Sequence, residues 1–120
     1  MKPTMLVVDD DANLREFYRL ELEDEGYDVD LAGDAGEAME KLHDDRYDVI
    51  ILDIRMPGMP GIELLQRIVA RDKRQSVILN TSHASYRHNF LTWFAAAYVE
   101  KSFSTVNLKQ AIRNALAKES

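Results

Sequence analysis

The stretch DVIILDIRMPG, residues 48–58, carries the pattern that decides the fold. After Asp48 it has a run of four apolar residues, Val49–Leu52, and Asp53 follows directly. A short run of this kind is typical of a strand that is covered on both faces, as in a parallel sheet. Pro57 and Gly58 then favour a constrained turn ahead of a segment with helical period. The stretch therefore predicts a buried strand, an acidic side chain at its carboxyl end and a helix after the turn.

The same unit of strand and helix repeats on both sides of this stretch. The predicted strands are Thr4–Val8, Tyr27–Leu31, Asp48–Leu52, Ser76–Asn80 and Ala97–Glu100. Apolar residues at helical spacing separate or follow them: Leu14, Phe17, Tyr18 and Leu22; Ala35, Ala38, Met39 and Leu42; Ile62, Leu65 and Val69; Leu108, Ala111, Ile112, Ala115 and Leu116. The segment Ala84–Phe94 is rich in aromatics without one clean stripe, which predicts only a short helix there.

Alternation of strands and helices predicts an α/β fold. Because crossovers between parallel strands are right-handed, we expect a doubly wound five-stranded parallel sheet with the flavodoxin-like strand order 2-1-3-4-5 and helices on both faces. A length of 120 residues favours one domain over residues 1–120. In such folds the functional crevice lies at the carboxyl ends of the strands.

Composition excludes several functional classes. The formal net charge of -6 predicts no direct binding to nucleic acid, because the phosphate backbone would be repelled. The chain has no cysteine, so disulfides and thiolate metal sites are excluded, as suits a reducing compartment. The apolar runs are far shorter than the roughly 20 residues needed to cross a bilayer, and no cleavable signal pattern is present. We therefore expect a cytoplasmic protein with no membrane contact.

The predicted strand ends deliver acids, a hydroxyl and an amine to one edge of the sheet. Asp9 and Asp10 follow the first strand, Asp53 the third, Thr81 the fourth and Lys101 the fifth. Carboxylates gathered closely repel one another unless a cation intervenes, and oxygen ligands of this kind favour Mg²⁺. A lysine charge and a threonine hydroxyl can hold the oxygens of an incoming phosphoryl group. Together they predict a phosphoryl-transfer site.

Simpler interpretations exist for single residues. Asp11 is better explained as a helix cap than as a metal ligand. Thr81 alone would be a turn hydroxyl and Lys101 alone a surface charge, so only their shared context favours a site. The three histidines, at positions 43, 83 and 88, lack the spacing of a metal site and are expected to have local roles.

Three motifs give the sequence a specific resemblance. VVDD at 7–10, LDIRMPG at 52–58 and VEK at 99–101 occur in the order and at the separations of response-regulator receiver domains, and the resemblance covers essentially the whole chain. It implies that Asp53 accepts a phosphoryl group from a phosphohistidine. It also implies that Mg²⁺ is held by Asp9, Asp10, Asp53 and the backbone carbonyl of Arg55, and that the phosphoryl oxygens are held by Thr81 and Lys101. Tyr98 matches the aromatic residue that turns inward on activation.

The resemblance also implies partners. A sensor histidine kinase or a phosphotransfer protein would supply the phosphoryl group, and the domain would catalyse only its own phosphorylation and dephosphorylation. An output domain or protein would be contacted through the face formed by the fourth helix, the fifth strand and the fifth helix. The same face is the expected place for a possible homodimer.

Departures from the family pattern at Ser102 and Arg55 keep alternative functions open. Ser102 stands where the family has a proline, often after a cis bond, so the Lys101–Ser102 bond is either trans or strained. Arg55 and His83 occupy positions that tune phosphoryl lifetime in the family. The main alternative is a docking module that works without phosphorylation. A metal-dependent phosphatase is a weaker alternative, because Arg55 stands where a second acid would be needed. Nucleotide or flavin binding is weaker still, because the turn after the first strand has no glycine-rich phosphate loop.

Overall fold

The computed structural model describes residues 2–82, 95–102 and 104–119. The strands are β1 (Thr4–Val8), β2 (Asp28–Ala32), β3 (Val49–Leu52), β4 (Ser76–Thr81) and β5 (Ala97–Glu100), and the helices are α1 (Ala12–Asp24), α2 (Ala35–Asp44), α3 (Gly61–Arg71) and α4 (Val106–Glu119). Every predicted strand is present, with bounds that differ by at most one residue. The helix predicted within Ala84–Phe94 lies outside the described residues, so α4 corresponds to the fifth predicted helix. None of the described helices has the length and apolar character to cross a bilayer.

The sheet is parallel throughout, with the order β2-β1-β3-β4-β5, which confirms the predicted doubly wound topology. Val8, at the end of β1, is paired with Ala32 on one side and with Leu52 on the other. On the far side of the sheet, Thr81 is paired with Glu100. The strands therefore end in near alignment, so that the residues that follow them share one edge.

Each face of the sheet has its own hydrophobic core, because successive side chains along a strand point to opposite faces. Leu6 and Val8 of β1 belong to the core that α2 and α3 cover. Met5 and Val7 belong to the core that α1 and α4 cover. All four side chains are at most 1% exposed, as expected for a central strand that has helices on both sides.

Local signals set the ends of α1. The Asp11 carboxylate accepts hydrogen bonds from the backbone N–H groups of Asn13 and Leu14 at 2.9 and 3.2 Å, so it is the N-cap that the sequence predicted. At the other end, Gly26 adopts a φ of 94°, a left-handed conformation that residues with a side chain rarely adopt. The Asp11 cap and the left-handed turn at Gly26 therefore set where the first helix begins and ends.

A polar cluster joins α1 to α4 on one side of the sheet. The Glu21 carboxylate accepts hydrogen bonds from the Thr105 hydroxyl at 2.8 Å and from the Lys109 ammonium at 3.1 Å. Lys109 also lies 3.4 Å from the carboxylate of Glu25. The hydrogen bond from Thr105, followed by that from Lys109, lowers the pKa of Glu21 below its ordinary value. The cluster therefore favours an ionised Glu21.

Candidate functional site

Backbone hydrogen bonds hold two aspartates at the carboxyl edge of the sheet. Asp9 directly follows β1, and its N–H donates to the Ala32 carbonyl at 3.1 Å. Asp53 directly follows β3, and its N–H donates to the Val8 carbonyl at 2.9 Å. The two residues are only 2% and 6% exposed. The hydrogen-bond pattern of the sheet thus continues one residue beyond each strand and brings both carboxylates into a shared, nearly buried position.

Lys101 lies between these carboxylates. Its ammonium donates to Asp9 Oδ2 at 2.7 Å and to Asp53 Oδ2 at 3.1 Å, and its side chain is only 14% exposed. The backbone N–H of Lys101 donates to the Thr81 carbonyl at 2.9 Å, which fixes its place at the end of β5. The described residues contain no cis peptide bond, so the bond to Ser102 is trans. The family's proline is therefore not needed here to aim the amine at the carboxylates.

Asp10 completes a group of three carboxylates. One oxygen from each of Asp9, Asp10 and Asp53 lies within 4.8 Å of the others. Asp10 is exposed, so one side of the group opens to solvent while the other two acids are buried. Three carboxylates and one ammonium group leave a formal charge of -2, and carboxylates are the hard oxygen ligands that Mg²⁺ prefers. The donor set therefore fits a Mg²⁺ ion that keeps some of its water.

Burial and the neighbouring charges shift the pKa values of Asp53 and Lys101. Burial raises the pKa of Asp53 above its ordinary value, and the Asp9 carboxylate adds to that effect, whereas the charge and hydrogen bond of Lys101 oppose it. Burial alone would lower the pKa of Lys101, but its hydrogen bonds and charge interactions with the two aspartates outweigh burial and raise it. Lys101 therefore stays cationic, while the ionised form of Asp53 is costly unless further positive charge arrives.

The loop after β3 is packed tightly against the backbone of Asp53. Gly61, the first residue of α3, donates its N–H to the Ile54 carbonyl at 2.6 Å. A Cβ atom at position 61 would lie 2.3 Å from the Asp53 carbonyl oxygen and 2.5 Å from Ile54 Cα, closer than real Cβ atoms come. Gly58, within the same loop, adopts a φ of 83°. Glycine is therefore needed twice to bring the loop back beside Asp53.

Arg55 and Asp10 border a recess next to the carboxylate group. The recess has a volume of about 430 Å³ and is lined by Asp10, Ile54, Arg55, Met56, Pro57 and Pro60. The backbone N–H of Arg55 lies 3.4 Å from Asp53 Oδ1, and its side chain is exposed. Arg55 thus stands at the mouth of the site beside the acid predicted to react.

The remaining predicted residues lie on β4 and β5. Thr81 is the last residue of β4 and is fully buried, in register with Glu100 on β5. Tyr98 is half-buried and packs against the core that α2 and α3 cover. His83 lies outside the described residues. The structure thus brings Asp9, Asp10, Asp53 and Lys101 into one group with Arg55 at its mouth, and it places Thr81 on the strand that leads to the same edge.

The sequence did not predict the contacts that two residues make beside this group. Arg15 donates a side-chain hydrogen bond to the Asp9 carbonyl at 2.7 Å, and Gly61 makes the close approach described above. An arginine one helical turn after the acidic triplet, and a glycine just after Pro60, were the only available signals. Neither of these sequence features predicts which backbone atom the residue contacts.

Fold and site together define a doubly wound α/β domain that gathers three carboxylates and an ammonium group at the carboxyl edge of its sheet. The sequence profile of the response regulator receiver domain matches residues 5–113. Response regulator ArlR from Staphylococcus saprophyticus is 33% identical over 116 residues, which are 96% of this chain and 53% of that protein. The transcriptional regulatory protein ResD from Bacillus subtilis is 38% identical over 103 residues, 83% of this chain and 42% of that protein. The chain thus spans about half the length of these curated relatives or less.

Solved structures of a response regulator have the same fold as this chain. The response regulator protein TrrA from Thermotoga maritima, in complex with Mg²⁺-BeF, superposes with a TM-score of 0.93 at 41% identity, covering 97% of this chain and 100% of that one. TrrA has also been solved in complex with the histidine kinase ThkA, where the TM-score is 0.90 at 41% identity with coverage of 97% and 99%. The chain therefore belongs to the response regulator receiver domain family.

Proposed function

We propose that this receiver domain accepts a phosphoryl group on the Asp53 carboxylate in a Mg²⁺-dependent reaction. The observation that carries the proposal is the position of the Lys101 ammonium, 2.7 Å from Asp9 and 3.1 Å from Asp53, beside a third carboxylate from Asp10. A reaction that transfers a multiply charged phosphoryl group needs positive charge fixed in advance near the acceptor. This chain supplies one such charge, together with ligands for a second.

Asp9, Asp10, Asp53 and the Arg55 carbonyl would hold the ion. When bound, Mg²⁺ would neutralise charge on the acceptor and on the phosphoryl oxygens. Two of these carboxylates are nearly buried and the third is exposed, an arrangement that leaves room for water and a phosphoryl oxygen on the open side.

The chemical step needs little beyond positioning. An Asp53 carboxylate oxygen attacks the phosphorus, the new P–O bond forms as the bond from phosphorus to the donor's imidazole nitrogen breaks, and the imidazole leaves with the bonding electrons. Lys101 would move its hydrogen bond from Asp53 to a phosphoryl oxygen, and the Thr81 hydroxyl would donate to another. Water later hydrolyses the acyl phosphate, which returns Asp53 to its free carboxylate.

The proposed donor is a sensor histidine kinase or a phosphotransfer protein. The relative TrrA was solved with a histidine kinase, which supports a partner of the same class for this chain. We propose that residues 1–120 form one receiver domain that works in the cytoplasm. Its output would pass through the face formed by the predicted fourth helix, β5 and α4, where a homodimer would also form.

Intact-mass measurement after incubation with acetyl phosphate tests the proposal. The wild-type chain should gain one phosphoryl group with Mg²⁺ and none with EDTA, and hydroxylamine should remove it. Asp53→Asn should gain none. Asp11→Asn is the matched control, because it neutralises a neighbouring acid while asparagine still caps α1, and it should react like the wild type. A wild-type chain that stays unmodified, or an Asp53→Asn chain that is modified equally, would contradict the proposal; the former would favour a docking module that works without phosphorylation.

A further inference from the structure

Arg15, on the second turn of α1, reaches back to the start of the acidic site. Its side chain is half-buried, and Nη1 donates a hydrogen bond of 2.7 Å to the backbone carbonyl of Asp9. The donor is a charged guanidinium, and charge-assisted hydrogen bonds are about twice as strong as neutral ones. Arg15 therefore anchors a backbone atom of a proposed metal ligand without contacting the carboxylate itself.

Gly33, directly after β2, makes room for this guanidinium. A Cβ atom at position 33 would lie 2.9 Å from Arg15 Nη1 and 3.3 Å from Arg15 Cζ. Gly33 is not among the glycines that have a positive φ, so its backbone does not itself require glycine. What glycine provides here is space, and an added methyl group would push aside the end of the Arg15 side chain rather than any backbone atom.

The Asp9 carbonyl matters because it belongs to the peptide plane that joins Asp9 to Asp10. The N–H of Asp9 is already bonded to Ala32, and its carboxylate accepts hydrogen bonds from Asp11 N–H at 2.9 Å and from Lys101. Among the described residues, no hydrogen bond holds the exposed carboxylate of Asp10. Its position is therefore set by the backbone, and the hydrogen bond from Arg15 fixes the peptide plane that leads to it.

We propose that Arg15, seated over Gly33, is a positioning residue for the cation: it fixes the Asp9–Asp10 peptide so that both carboxylates point at one ion. The inference rests on the Mg²⁺ site proposed above. Supporting residues of this kind change metal affinity about 10- to 100-fold when they are removed. The charge of Arg15 acts in the opposite direction, since a cation near Mg²⁺ weakens its binding, so the experiment must separate placement from charge.

Titration calorimetry with MgCl₂ at fixed pH and ionic strength makes that separation. Gly33→Ala keeps the charge but displaces the guanidinium, and Arg15→Ala removes both. Gly33→Ala should weaken Mg²⁺ binding by about tenfold, and Arg15→Ala should weaken it by less, because losing the positive charge offsets part of the effect. The double variant should bind Mg²⁺ no more weakly than Arg15→Ala, because both changes break the same contact. Arg19→Ala is the matched control: it removes a charge one turn along α1, where Arg19 pairs with Glu16 and Glu23, and it should stay within about twofold of the wild type.

Urea unfolding of each variant without Mg²⁺ distinguishes placement from a general loss of structure. Gly33→Ala should unfold within error of the wild type and still lose affinity, a combination that a merely structural role would not give. Unchanged Mg²⁺ affinity in Gly33→Ala, or additive losses in the double variant, would overturn the inference and leave the proposed function standing. A wild-type chain that binds no Mg²⁺ would overturn both.

Discussion

Gly61→Ala is the substitution whose effect follows most directly from the distances in the structure. The new methyl carbon would lie 2.3 Å from the Asp53 carbonyl oxygen, 2.5 Å from Ile54 Cα and 2.8 Å from the Ile54 carbonyl oxygen. All three are backbone atoms, so no side-chain rotation can relieve the overlap. Either the loop that carries Asp53 separates from the start of α3, or the variant does not fold.

The magnitude is the sum of two effects. Forcing an extra carbon into a packed site costs about 1 to 3 kcal/mol. Separating the two segments also weakens the 2.6 Å hydrogen bond from Gly61 N–H to the Ile54 carbonyl, which contributes about 1 kcal/mol. We therefore expect the free energy of unfolding to fall by about 2 to 4 kcal/mol. With a urea m-value of about 2 kcal/mol/M, the unfolding midpoint would fall by about 1 to 2 M.

Urea unfolding followed by circular dichroism measures this shift, and Gly36→Ala is the control. Gly36 lies on α2, where an added Cβ would meet nothing nearer than an Asp34 carboxylate oxygen at 3.4 Å. Alanine is also the better helix former, so this variant should be as stable as the wild type or slightly more stable. A midpoint for Gly61→Ala within about 0.3 M of the wild type would show that the close approach does not constrain the Asp53 loop.

Three further predictions follow from the site and from the contact between α1 and α4. Mg²⁺ at ten times its dissociation constant should raise the free energy of unfolding by about 1.4 kcal/mol. Asp10→Asn should lose most of this stabilisation, whereas Asp11→Asn should keep it. Equal stabilisation of the two variants would contradict the assignment of Asp10 as a ligand. The lowered pKa of Glu21 means that its contribution to stability is present above the pKa of the unfolded chain and is lost as the pH falls through the folded value. The difference in free energy of unfolding between the wild type and Glu21→Gln should therefore be largest near neutral pH and vanish in acid. A difference that does not depend on pH would refute this role of the Glu21 carboxylate. Arg55→Ala should shorten the half-life of phosphorylated Asp53 a few-fold, because the exposed guanidinium stands at the mouth of the site, and an unchanged half-life would reject that role.

The strands and their order could be predicted because parallel strands buried on both faces need nearly continuous apolar runs. Val49–Leu52 is such a run, all four of its residues are buried, and the acid directly after it lies at the carboxyl edge. Alternation with helical segments then limits the topology to a few arrangements, of which the structure has the expected one. The position of Lys101 beside Asp9 also follows from strand ends that meet at one edge.

Contacts between loops could not be predicted in the same way. The contact of Arg15 with Gly33 joins α1 to the loop after β2. The distance between these two segments depends on how α1 lies on the sheet, and no periodicity in the sequence encodes that distance. Gly61 adopts no positive φ that a turn signal would reveal; the nearby backbone atoms of Asp53 and Ile54 require it to be glycine. The trans bond before Ser102 was likewise one of two open alternatives, because sequence alone does not give the orientation of a peptide plane.

The identity of the phosphoacceptor is tested most directly by finding which carboxyl group is modified. Borohydride reduces an acyl phosphate to an alcohol, so a phosphorylated aspartate becomes homoserine, which a fragment-ion mass spectrum can locate. After reaction with acetyl phosphate and Mg²⁺, reduction and trypsin digestion, we predict homoserine at Asp53 in the peptide 47–55, with Asp48 in the same peptide unchanged. Homoserine at Asp48, or at Asp9 or Asp10 in the peptide from the amino terminus to Arg15, with Asp53 intact, would contradict the account.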